Sequence, residues 1–205
     1  MIIIGICGAS GSGKTTLAEE LSNALGDLSY IIKQDSYYKD FPNLEFEERA
    51  ALNFDHPDIF DHELLYQDIC SWEKGNLISQ KVYNFSEHRR NDTDLMLPAP
   101  EILIIEGIHA FYDDRLLNKM FLKLFIKVEE DICLLRRIQR DIVERGRTID
   151  GITKQYLTTV KPMYNEFIKG YVNRADIIIA NGGKNSRIVE ILKGYILNKL
   201  NNDKQ

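Results

Sequence analysis

The segment Gly8-Ala9-Ser10-Gly11-Ser12-Gly13-Lys14-Thr15 decides the fold of this chain of 205 residues. It matches the pattern G-x-x-x-x-G-K-[ST], which is the phosphate-binding loop, or P-loop. Glycines let the backbone turn tightly and approach an anion, and successive backbone N–H groups then point into one concave nest. The segment therefore predicts a site for the phosphate groups of a nucleotide.

The sequence on either side favours this interpretation over the alternative, a Gly/Ser-rich turn that binds nothing. A β-branched run at residues 2–7 predicts a buried strand, and apolar residues at helical spacing follow over residues 15–25. Strand, loop and helix thus come in the order that the motif requires. We expect Lys14 to contact the β- and γ-phosphates and the Thr15 hydroxyl to bind Mg²⁺, with further phosphate contacts from the other loop residues and Thr16.

Composition and charge limit the functions that this chain can have. The net charge of −5 and the pI of about 5.5 argue against nucleic-acid binding, which needs a basic surface. No apolar stretch approaches membrane-spanning length, and we expect no membrane association. The three cysteines form no C-x-x-C pair, so neither a disulfide framework nor a zinc site is expected. These features indicate a cytoplasmic protein, and the length fits a single domain over residues 1–205.

Apolar runs alternate with helical patterns along the chain. The predicted strands cover residues 2–7, 30–33, 102–105, 122–128 and 177–180, and the predicted helices cover residues 15–25, 62–74, 131–145, 153–171 and 186–200. This alternation is typical of an α/β fold, here a parallel sheet of the P-loop NTPase type flanked by helices. Pro162 is expected to kink or divide its helix, and residues 201–205 are expected to form a frayed tail.

Residues 76–98 interrupt this alternation. Two apolar stretches flank a polar turn, which predicts a substrate-binding β-hairpin that projects from the sheet. Tyr83 and Phe85 alternate and so share one strand face, where they can sandwich a planar base. The alternative is a small hydrophobic plug against the main domain, and His88 is by default a surface histidine.

Two acidic residues follow predicted strands. Ligands of open α/β sheets bind beyond the carboxyl ends of the strands, so Glu106 can face the P-loop and hold Mg²⁺ directly or through water. Asp35 can accept the proton of an alcohol during phosphoryl transfer, and it is a further candidate metal ligand. The alternatives are a strand-end acid in solvent for Glu106 and an Asx-turn for Asp35.

The segment at residues 53–61 is rich in acidic and aromatic side chains and precedes a predicted helix. We interpret Asp61 as the N-cap of that helix. Asp58 can serve as a cap as well, but its two carboxylate oxygens can instead accept hydrogen bonds from the diol of a sugar.

Arginines concentrate within residues 131–150. Arg136 and Arg140 share a helix face at i, i+4 spacing, where Asp141 can pair with them on an ordinary solvated, charged surface. The break at Gly146 fits instead a hinge that carries cations onto a phosphate. The second interpretation predicts an arginine-rich lid over the site.

Six segments, in order along nearly the whole chain, resemble the uridine kinase (uridine/cytidine kinase) family: GASGSGKT, QDSYY, NFDHPDIFD, YNFSEHRR, IIEGIHAFYD and RRIQRDIVERGR. The resemblance implies transfer of the γ-phosphate of ATP, or GTP, to the 5′-hydroxyl of uridine or cytidine in pyrimidine salvage. It implies Mg²⁺ as the cofactor, a nucleoside as the small-molecule partner, and a homotetramer.

The resemblance also implies a role for each matching residue. Asp35 would be the general base, Thr15 and Glu106 would hold Mg²⁺, Lys14 and Arg140 would act in catalysis, and Arg145 and Arg147 would serve the lid and phosphates. The nucleoside contacts would come from Tyr38, Asp58, Tyr83, Phe85, His88, Arg137, Arg140 and Gln155. Within this set, Asp58 would bind the ribose hydroxyls and His88 the edge of the base.

Two residues depart from the family pattern. Asn84 stands where aspartate is frequent, and His109 stands where an aliphatic residue is common, a feature that resembles phosphoribulokinases. A related kinase, such as a phosphoribulokinase or a pantothenate kinase, is therefore the alternative, although a sugar phosphate has no base for the aromatic hairpin. A nucleotide-dependent switch is a third hypothesis, but the N-K-x-D and D-x-x-G motifs of GTPases do not occur in the sequence.

Overall fold

Seven strands form one central sheet and one hairpin in the computed structural model, which describes residues 1–204. The strands are β1 (Ile2–Gly8), β2 (Ser29–Lys33), β3 (Ile78–Asn84), β4 (Arg89–Leu97), β5 (Ile102–Glu106), β6 (Leu122–Lys127) and β7 (Ile177–Ala180). The central sheet has the order β2-β5-β1-β6-β7, and all its neighbours pair in parallel. The predicted α/β fold is confirmed, and each predicted strand of this sheet ends within one residue of the observed strand.

Helices cover both faces of the sheet. They are α1 (Lys14–Leu25), α2 (Phe46–Ala50), α3 (His62–Glu73), α4 (Asp114–Lys119), α5 (Glu130–Arg145), α6 (Ile149–Gln155), α7 (Lys161–Glu166) and α8 (Ser186–Asp203). Short 3₁₀ segments occur at Gly26–Leu28, Gln34–Tyr37, Pro57–Ile59 and Ile168–Arg174, and a π-helical segment occurs at Tyr156–Val160. Among the described residues, none of these helices combines the length and apolar character needed to cross a lipid bilayer.

The alternation of side chains along β1 explains the two hydrophobic cores. Ile4 and Ile6 point to the face that α1 and α8 cover, whereas Ile3 and Cys7 point to the face that α3 covers. All seven residues of β1 are buried, as expected for the central strand of a parallel sheet that is covered on both sides. The P-loop therefore follows directly from a fully buried strand at the centre of the sheet.

The hairpin predicted at residues 76–98 is present as the antiparallel pair β3–β4. The indole Nε1 of Trp72 donates to the carbonyl oxygen of Leu97 at 3.0 Å, which holds the hairpin against α3. The buried ammonium of Lys81 lies 3.7 Å from a carboxylate oxygen of Asp68 on the same helix. The hairpin is thus held by these polar contacts and by apolar packing of Ile78 in the core beside α3, and not by pairing with the central sheet.

The structure confirms one prediction about helices and corrects another. The helix predicted over residues 153–171 is divided, as expected from Pro162: Tyr156–Val160 adopts π-helical geometry, Pro162 lies near the start of α7, and a 3₁₀ segment follows. The predicted frayed tail is helical as far as Asp203 in α8, while its last residue, Gln205, lies outside the described residues. The short helices α2 and α4 were not predicted, since each spans less than two turns.

Candidate active site

The carboxyl ends of three neighbouring strands meet at one edge of the sheet. In the register, Glu106 at the end of β5 lies between Ile6 of β1 and Lys33 of β2. The P-loop follows β1, and Asp35 follows β2 within the 3₁₀ segment Gln34–Tyr37. The strand order therefore brings the phosphate-binding loop, Glu106 and Asp35 together at this edge.

Glycines shape the P-loop at two close approaches. Gly11 and Gly13 have φ angles of +82° and +97°, in the region that favours glycine. A Cβ on Gly11 would lie 2.3 Å from the carbonyl oxygen of Cys133, and one on Gly13 would lie 2.7 Å from the backbone nitrogen of Gly183. Helix α1 begins directly after Gly13, so its free N–H groups and positive end face the concave loop.

Lys14 and Thr15 extend from the first turn of α1 into the site. The Nζ of Lys14 is buried and donates to the carbonyl oxygen of Ala9 at 2.9 Å. Burial lowers the pKa of Lys14, and the nearby carboxylate of Glu106 opposes that shift. The hydroxyl of Thr15 donates to Oε1 of Glu106 at 2.9 Å. Burial raises the pKa of Glu106, while the ammonium of Lys14 opposes the rise.

Oxygen donors suited to Mg²⁺ are therefore present at the P-loop. Thr15 and Glu106 supply a hydroxyl and a carboxylate, which are hard ligands, and Asp35 lines the same cleft. Among the described residues, no group of three or more His, Cys, Asp or Glu side chains forms a cage for a metal ion. A site with few protein ligands fits Mg²⁺, which keeps several waters and binds substrate phosphates as well.

An open cleft of about 740 Å³, including space open to solvent, lies beside the P-loop. Most of the predicted catalytic and substrate-binding residues line it: Ser10, Lys14, Thr15, Asp35, Tyr38, Tyr83, Phe85, His88, Glu106, Arg137, Arg140, Arg145, Arg147 and Gln155. The remaining predicted phosphate-binding residues lie outside this lining: Gly8, Ala9, Gly11, Ser12, Gly13 and Thr16. Lysine and arginine outnumber carboxylates in the lining, so the cleft suits an anion despite the acidic composition of the chain.

Arginines from residues 131–150 reach the P-loop. Arg137 donates to the hydroxyl of Ser10 at 2.9 Å and to the side-chain carbonyl oxygen of Gln155 at 3.0 Å. Arg147 donates to the same oxygen of Gln155 at 2.7 Å. Gly146, with a φ of +61°, ends α5 and lets the chain turn so that Arg147 faces back toward the site. Gln155 of α6 thus links Arg137 of α5 to Arg147, which lies in the turn between α5 and α6.

Asp141 organises the arginine cluster. Its carboxylate has no exposed surface and lies within 2.8 Å to 3.6 Å of four guanidinium groups, those of Arg137, Arg140, Arg145 and Arg147. Burial alone would raise the pKa of Asp141, but Arg140, Arg137 and Arg145 outweigh that effect and hold its pKa below the ordinary value of 3.8. Asp141 is therefore not part of a solvated helix face, and its role was missed because a pairing carboxylate on a helix is usually exposed.

The structure does not bring Asp58 into the cleft. Asp58 lies in the 3₁₀ segment Pro57–Ile59, and 73% of its side chain is exposed. Its backbone N–H donates to Nδ1 of His56 at 3.1 Å. Asp55, three residues earlier, is buried and lines the cleft instead. It accepts a hydrogen bond from the Thr159 hydroxyl at 2.9 Å. The carboxylate that was predicted to bind ribose, that of Asp58, therefore lies outside the cleft, whereas Asp61 caps α3 as predicted.

The aromatic wall of the cleft, formed by Tyr38, Phe54, Tyr83 and Phe85, differs from the predicted sandwich of Tyr83 and Phe85 around a base. Tyr83 is buried and stands edge-on to Phe85, with ring centroids 5.2 Å apart and planes at 78°. Two rings in that geometry do not enclose a planar base between parallel faces. Tyr83 also packs against Tyr38 and Phe60 in a small hydrophobic cluster. The alternative interpretation of the hairpin, a hydrophobic plug against the main domain, therefore also applies. Both rings nonetheless line the cleft.

His88 faces the cleft from the turn of the hairpin. Its ring stacks on Phe54, with centroids 4.9 Å apart and an angle of 29° between planes. Its Nδ1 is buried and makes no hydrogen bond within the described part of the chain. Burial lowers the pKa of His88, and the cations of Arg147 and Arg49 lower it further, which favours the neutral ring. Such a ring can exchange a hydrogen bond with a polar ligand.

Sequence reasoning missed four residues that line the cleft: Phe54, Asp55, Gly107 and Ile108. Phe54 and Asp55 belong to the acidic and aromatic segment at residues 53–61, but the directions of their side chains depend on an irregular loop. Gly107 follows Glu106 directly, and a Cβ there would lie 2.3 Å from the side-chain oxygen of Gln34. The sequence offered one signal for Gly107 and Ile108 as cleft residues, which is that they directly follow Glu106.

A kinase needs room for a second substrate beside the phosphates of the nucleotide, whereas a nucleotide-dependent switch needs no such room. The cleft supplies that room, and its lining includes both P-loop residues and an aromatic wall. By fold and by site, the molecule is a P-loop kinase.

The chain belongs to the phosphoribulokinase / uridine kinase family, whose sequence profile matches residues 3–187. It is 44% identical over 204 residues to the uridine kinase of Clostridium novyi (strain NT), which covers 99% of this chain and 98% of that protein. It is 43% identical over 200 residues to the uridine kinase of Salmonella paratyphi B, covering 95% of this chain and 94% of that protein. The structure of phosphoribulokinase from Rhodobacter spheroides shares the fold, with a TM-score of 0.64 at 17% identity over 90% of this chain and 72% of that one.

Proposed function

We propose that this kinase transfers the γ-phosphate of ATP, or GTP, to the 5′-hydroxyl of uridine and cytidine in pyrimidine salvage. One observation carries the proposal: a single cleft is lined both by the P-loop and Asp35 and by an aromatic wall with His88. The uridine kinases of Clostridium novyi and Salmonella paratyphi B, similar over nearly their whole length, support the same acceptor.

The donor phosphates would bind at the P-loop and the arginine cluster. The amides of the loop and the N-terminus of α1 would surround the β-phosphate, and Lys14 would neutralise charge on the transferring group. Thr15 and Glu106 would hold Mg²⁺, which supplies charge neutralisation at the phosphates when bound. We further propose that residues 131–150 act as a lid that closes about Gly146, so that Arg140, Arg145 and Arg147 reach the phosphates and water is excluded.

The acceptor would be activated by Asp35. Its carboxylate lines the cleft near the P-loop and would accept the 5′-hydroxyl proton as that oxygen attacks the γ-phosphorus. Tyr38 lies close by, and burial raises the pKa of its phenol well above the ordinary value, with the charge of Asp35 adding to the rise. Tyr38 therefore stays protonated and can position the acceptor without competing for its proton.

The nucleoside would lie across the remaining part of the cleft. We propose that Asp55, rather than Asp58, accepts hydrogen bonds from the ribose hydroxyls, because only Asp55 is buried in the lining. The unpartnered Nδ1 of His88 supports a hydrogen bond to the edge of the base. Tyr83 and Phe85 would contact the base from one side, and Arg137 and Gln155 would lie near the sugar.

The alternative is a related kinase of a sugar phosphate or of pantothenate. An acceptor without a base would leave His88 and the aromatic wall without a partner. The test is ADP release from the purified protein with ATP and Mg²⁺, across uridine, cytidine, adenosine, thymidine, ribulose 5-phosphate and pantothenate. The proposal requires turnover with uridine and cytidine, and turnover with ribulose 5-phosphate or pantothenate alone would refute it.

Three further expectations belong to this proposal. The chain would act as a single domain, as a homotetramer and in the cytoplasm. Three unpaired thiols, those of Cys7, Cys70 and Cys133, support a reducing compartment. Light scattering on the purified protein would measure the oligomeric state directly.

A further inference from the structure

His109 forms a buried polar link next to the cleft that the proposed chemistry does not use. Its side chain has no exposed surface, and the rings of Phe60, Phe167 and Tyr171 stand edge-on to it at centroid distances of 5.7 to 5.9 Å. Its Nε2 lies 2.7 Å from the carbonyl oxygen of Asp55, and its Nδ1 lies 3.0 Å from the hydroxyl of Tyr171. Each ring nitrogen therefore has one specific partner.

The chemistry of these partners fixes the tautomer of His109. A carbonyl oxygen can only accept, so Nε2 carries the proton and donates it to Asp55. Nδ1 must then accept, and the Tyr171 hydroxyl is the donor. Burial lowers the pKa of His109 to about 4, which keeps the ring neutral at physiological pH. The link thus has a single arrangement under those conditions.

The position of Asp55 depends on few contacts besides this link. Asp55 lies in an irregular stretch between α2 and the segment Pro57–Ile59, outside any helix or strand. Its N–H donates to the side-chain oxygen of Asn53 at 3.1 Å, and its carbonyl oxygen accepts from His109. On its carboxylate, one oxygen accepts from Thr159 at 2.9 Å and the other lies 4.0 Å from Arg137. Removing the His109 contact would leave the carbonyl oxygen of Asp55 without this hydrogen bond, so the backbone that carries the carboxylate would be held less firmly.

We propose that His109 is a positioning residue for the acceptor: by holding the carbonyl group of Asp55, it keeps the Asp55 carboxylate directed into the cleft toward the ribose hydroxyls. The inference rests on the proposed function, since it assumes a ribonucleoside acceptor. His109 does not line the cleft and acts through Asp55. Its removal would weaken binding of the nucleoside and the preference for ribose over deoxyribose, while the donor site, built on the P-loop, stays intact.

A purely structural role is the competing explanation, since a buried ring also fills space. Two substitutions separate the explanations. His109→Leu fills much of the space but has no polar atom, whereas His109→Gln keeps an N–H donor that can reach the Asp55 carbonyl oxygen. Tyr171→Phe removes only the donor to Nδ1. Tyr112→Phe is the matched control, because the Tyr112 ring stands edge-on to His109 at 6.2 Å without a hydrogen bond to it.

The experiment measures kcat and KM for uridine, 2′-deoxyuridine and ATP in wild type and variants. We expect His109→Leu to raise the KM for uridine about tenfold, as for one lost positioning hydrogen bond, and to reduce the uridine/deoxyuridine preference, with the KM for ATP within about twofold. His109→Gln should recover most of the KM, Tyr171→Phe should show a smaller change in the same direction, and Tyr112→Phe should match the wild type.

Two results would overturn the inference. One is a folded His109→Leu enzyme with unchanged uridine KM and unchanged preference. If that variant does not fold, Tyr171→Phe decides: a raised uridine KM with an unchanged KM for ATP supports the link. A uridine KM and a preference for ribose equal to the wild type, or a KM that rises equally for uridine and ATP, overturns it. The other is a wild-type protein that does not phosphorylate uridine, which would refute the proposed function and this inference together.

Discussion

The hydroxyl of Thr15 donates a hydrogen bond of 2.9 Å to Oε1 of Glu106, joining the first turn of α1 to the end of β5. The two residues are 91 positions apart in the sequence and meet because β1 and β5 are adjacent in the sheet. Two hard oxygen ligands therefore stand together beside the phosphate-binding loop. That pairing is the basis for the proposed Mg²⁺ site.

Replacing Glu106 should change the dependence of the reaction on Mg²⁺. Glu106→Gln keeps the shape of the side chain but removes its charge, so we expect the Mg²⁺ concentration for half-maximal rate to rise by roughly 10- to 100-fold. Initial rates over a Mg²⁺ titration give the measurement. Thr15→Ser keeps the hydroxyl and is the matched control, with a titration curve close to that of the wild type. An unaltered curve for Glu106→Gln would exclude Glu106 as a ligand.

Removing the proposed general base should slow the chemical step. Asp35→Asn cannot accept the proton of the 5′-hydroxyl, and we expect turnover to fall by roughly 10² to 10⁴-fold. ATP should still bind, because the P-loop is unchanged, and calorimetric titration with a non-hydrolysable ATP analogue checks this. Turnover near the wild-type rate would remove Asp35 from this role.

Asp55 and Asp58 provide a matched pair for the ribose site. Asp55→Asn should raise the KM for uridine and reduce the uridine/deoxyuridine preference, because only Asp55 is buried in the cleft. Asp58→Asn changes an exposed carboxylate outside the cleft and should behave like the wild type. Steady-state kinetics with both nucleosides makes the comparison. The reverse pattern, a defect only in Asp58→Asn, would restore the assignment made from the sequence.

The buried carboxylate of Asp141 should contribute stability that depends on pH. Its folded-state pKa lies below the ordinary value of 3.8, so the contribution is fully present above about pH 4 and is lost as the pH falls through the folded-state pKa. Asp141→Asn leaves four guanidinium groups without their counter-ion, and we expect the free energy of unfolding at pH 7 to fall by about 3 kcal/mol.

Urea unfolding of the wild type and of Asp141→Asn, from pH 7 down to pH 3, measures this effect. The difference between them should shrink below about pH 4, because the Asp141 carboxylate then takes up a proton in the unfolded chain while the folded protein still holds it charged. Glu144→Gln, at an exposed position of the same helix, is the control and should stay within about 0.5 kcal/mol of the wild type. A difference that grows as the pH falls would contradict the assignment.

Local pattern was enough to predict most of the sheet and the P-loop. The runs of isoleucine and leucine that form β1 and β5 are buried on both faces, and such runs are readable without tertiary information. The approach of Asp35 to Glu106 followed from a general rule, that ligands bind beyond the carboxyl ends of parallel strands. The same rule required no knowledge of the strand order.

The errors arose where tertiary contacts decide the direction of a side chain. Asp55 and Asp58 lie three positions apart, and only the turn at Pro57–Ile59 determines which one faces the cleft. Alternation placed Tyr83 and Phe85 on one face, but β3 ends at Asn84 and Phe85 lies beyond it. The burial of Asp141 and the contacts of His109 depend on residues distant in sequence, so no local pattern could reveal them.

Identification of the product tests the central claim most directly. Purified protein is incubated with uridine, ATP and Mg²⁺, and the product is analysed by mass spectrometry and by proton-coupled ³¹P NMR. We predict one phosphate added to uridine, with a phosphorus signal split by the two protons on the 5′ carbon, and stoichiometric ADP. No phosphorylated uridine, with ADP formed only when ribulose 5-phosphate or pantothenate is supplied, would contradict the account.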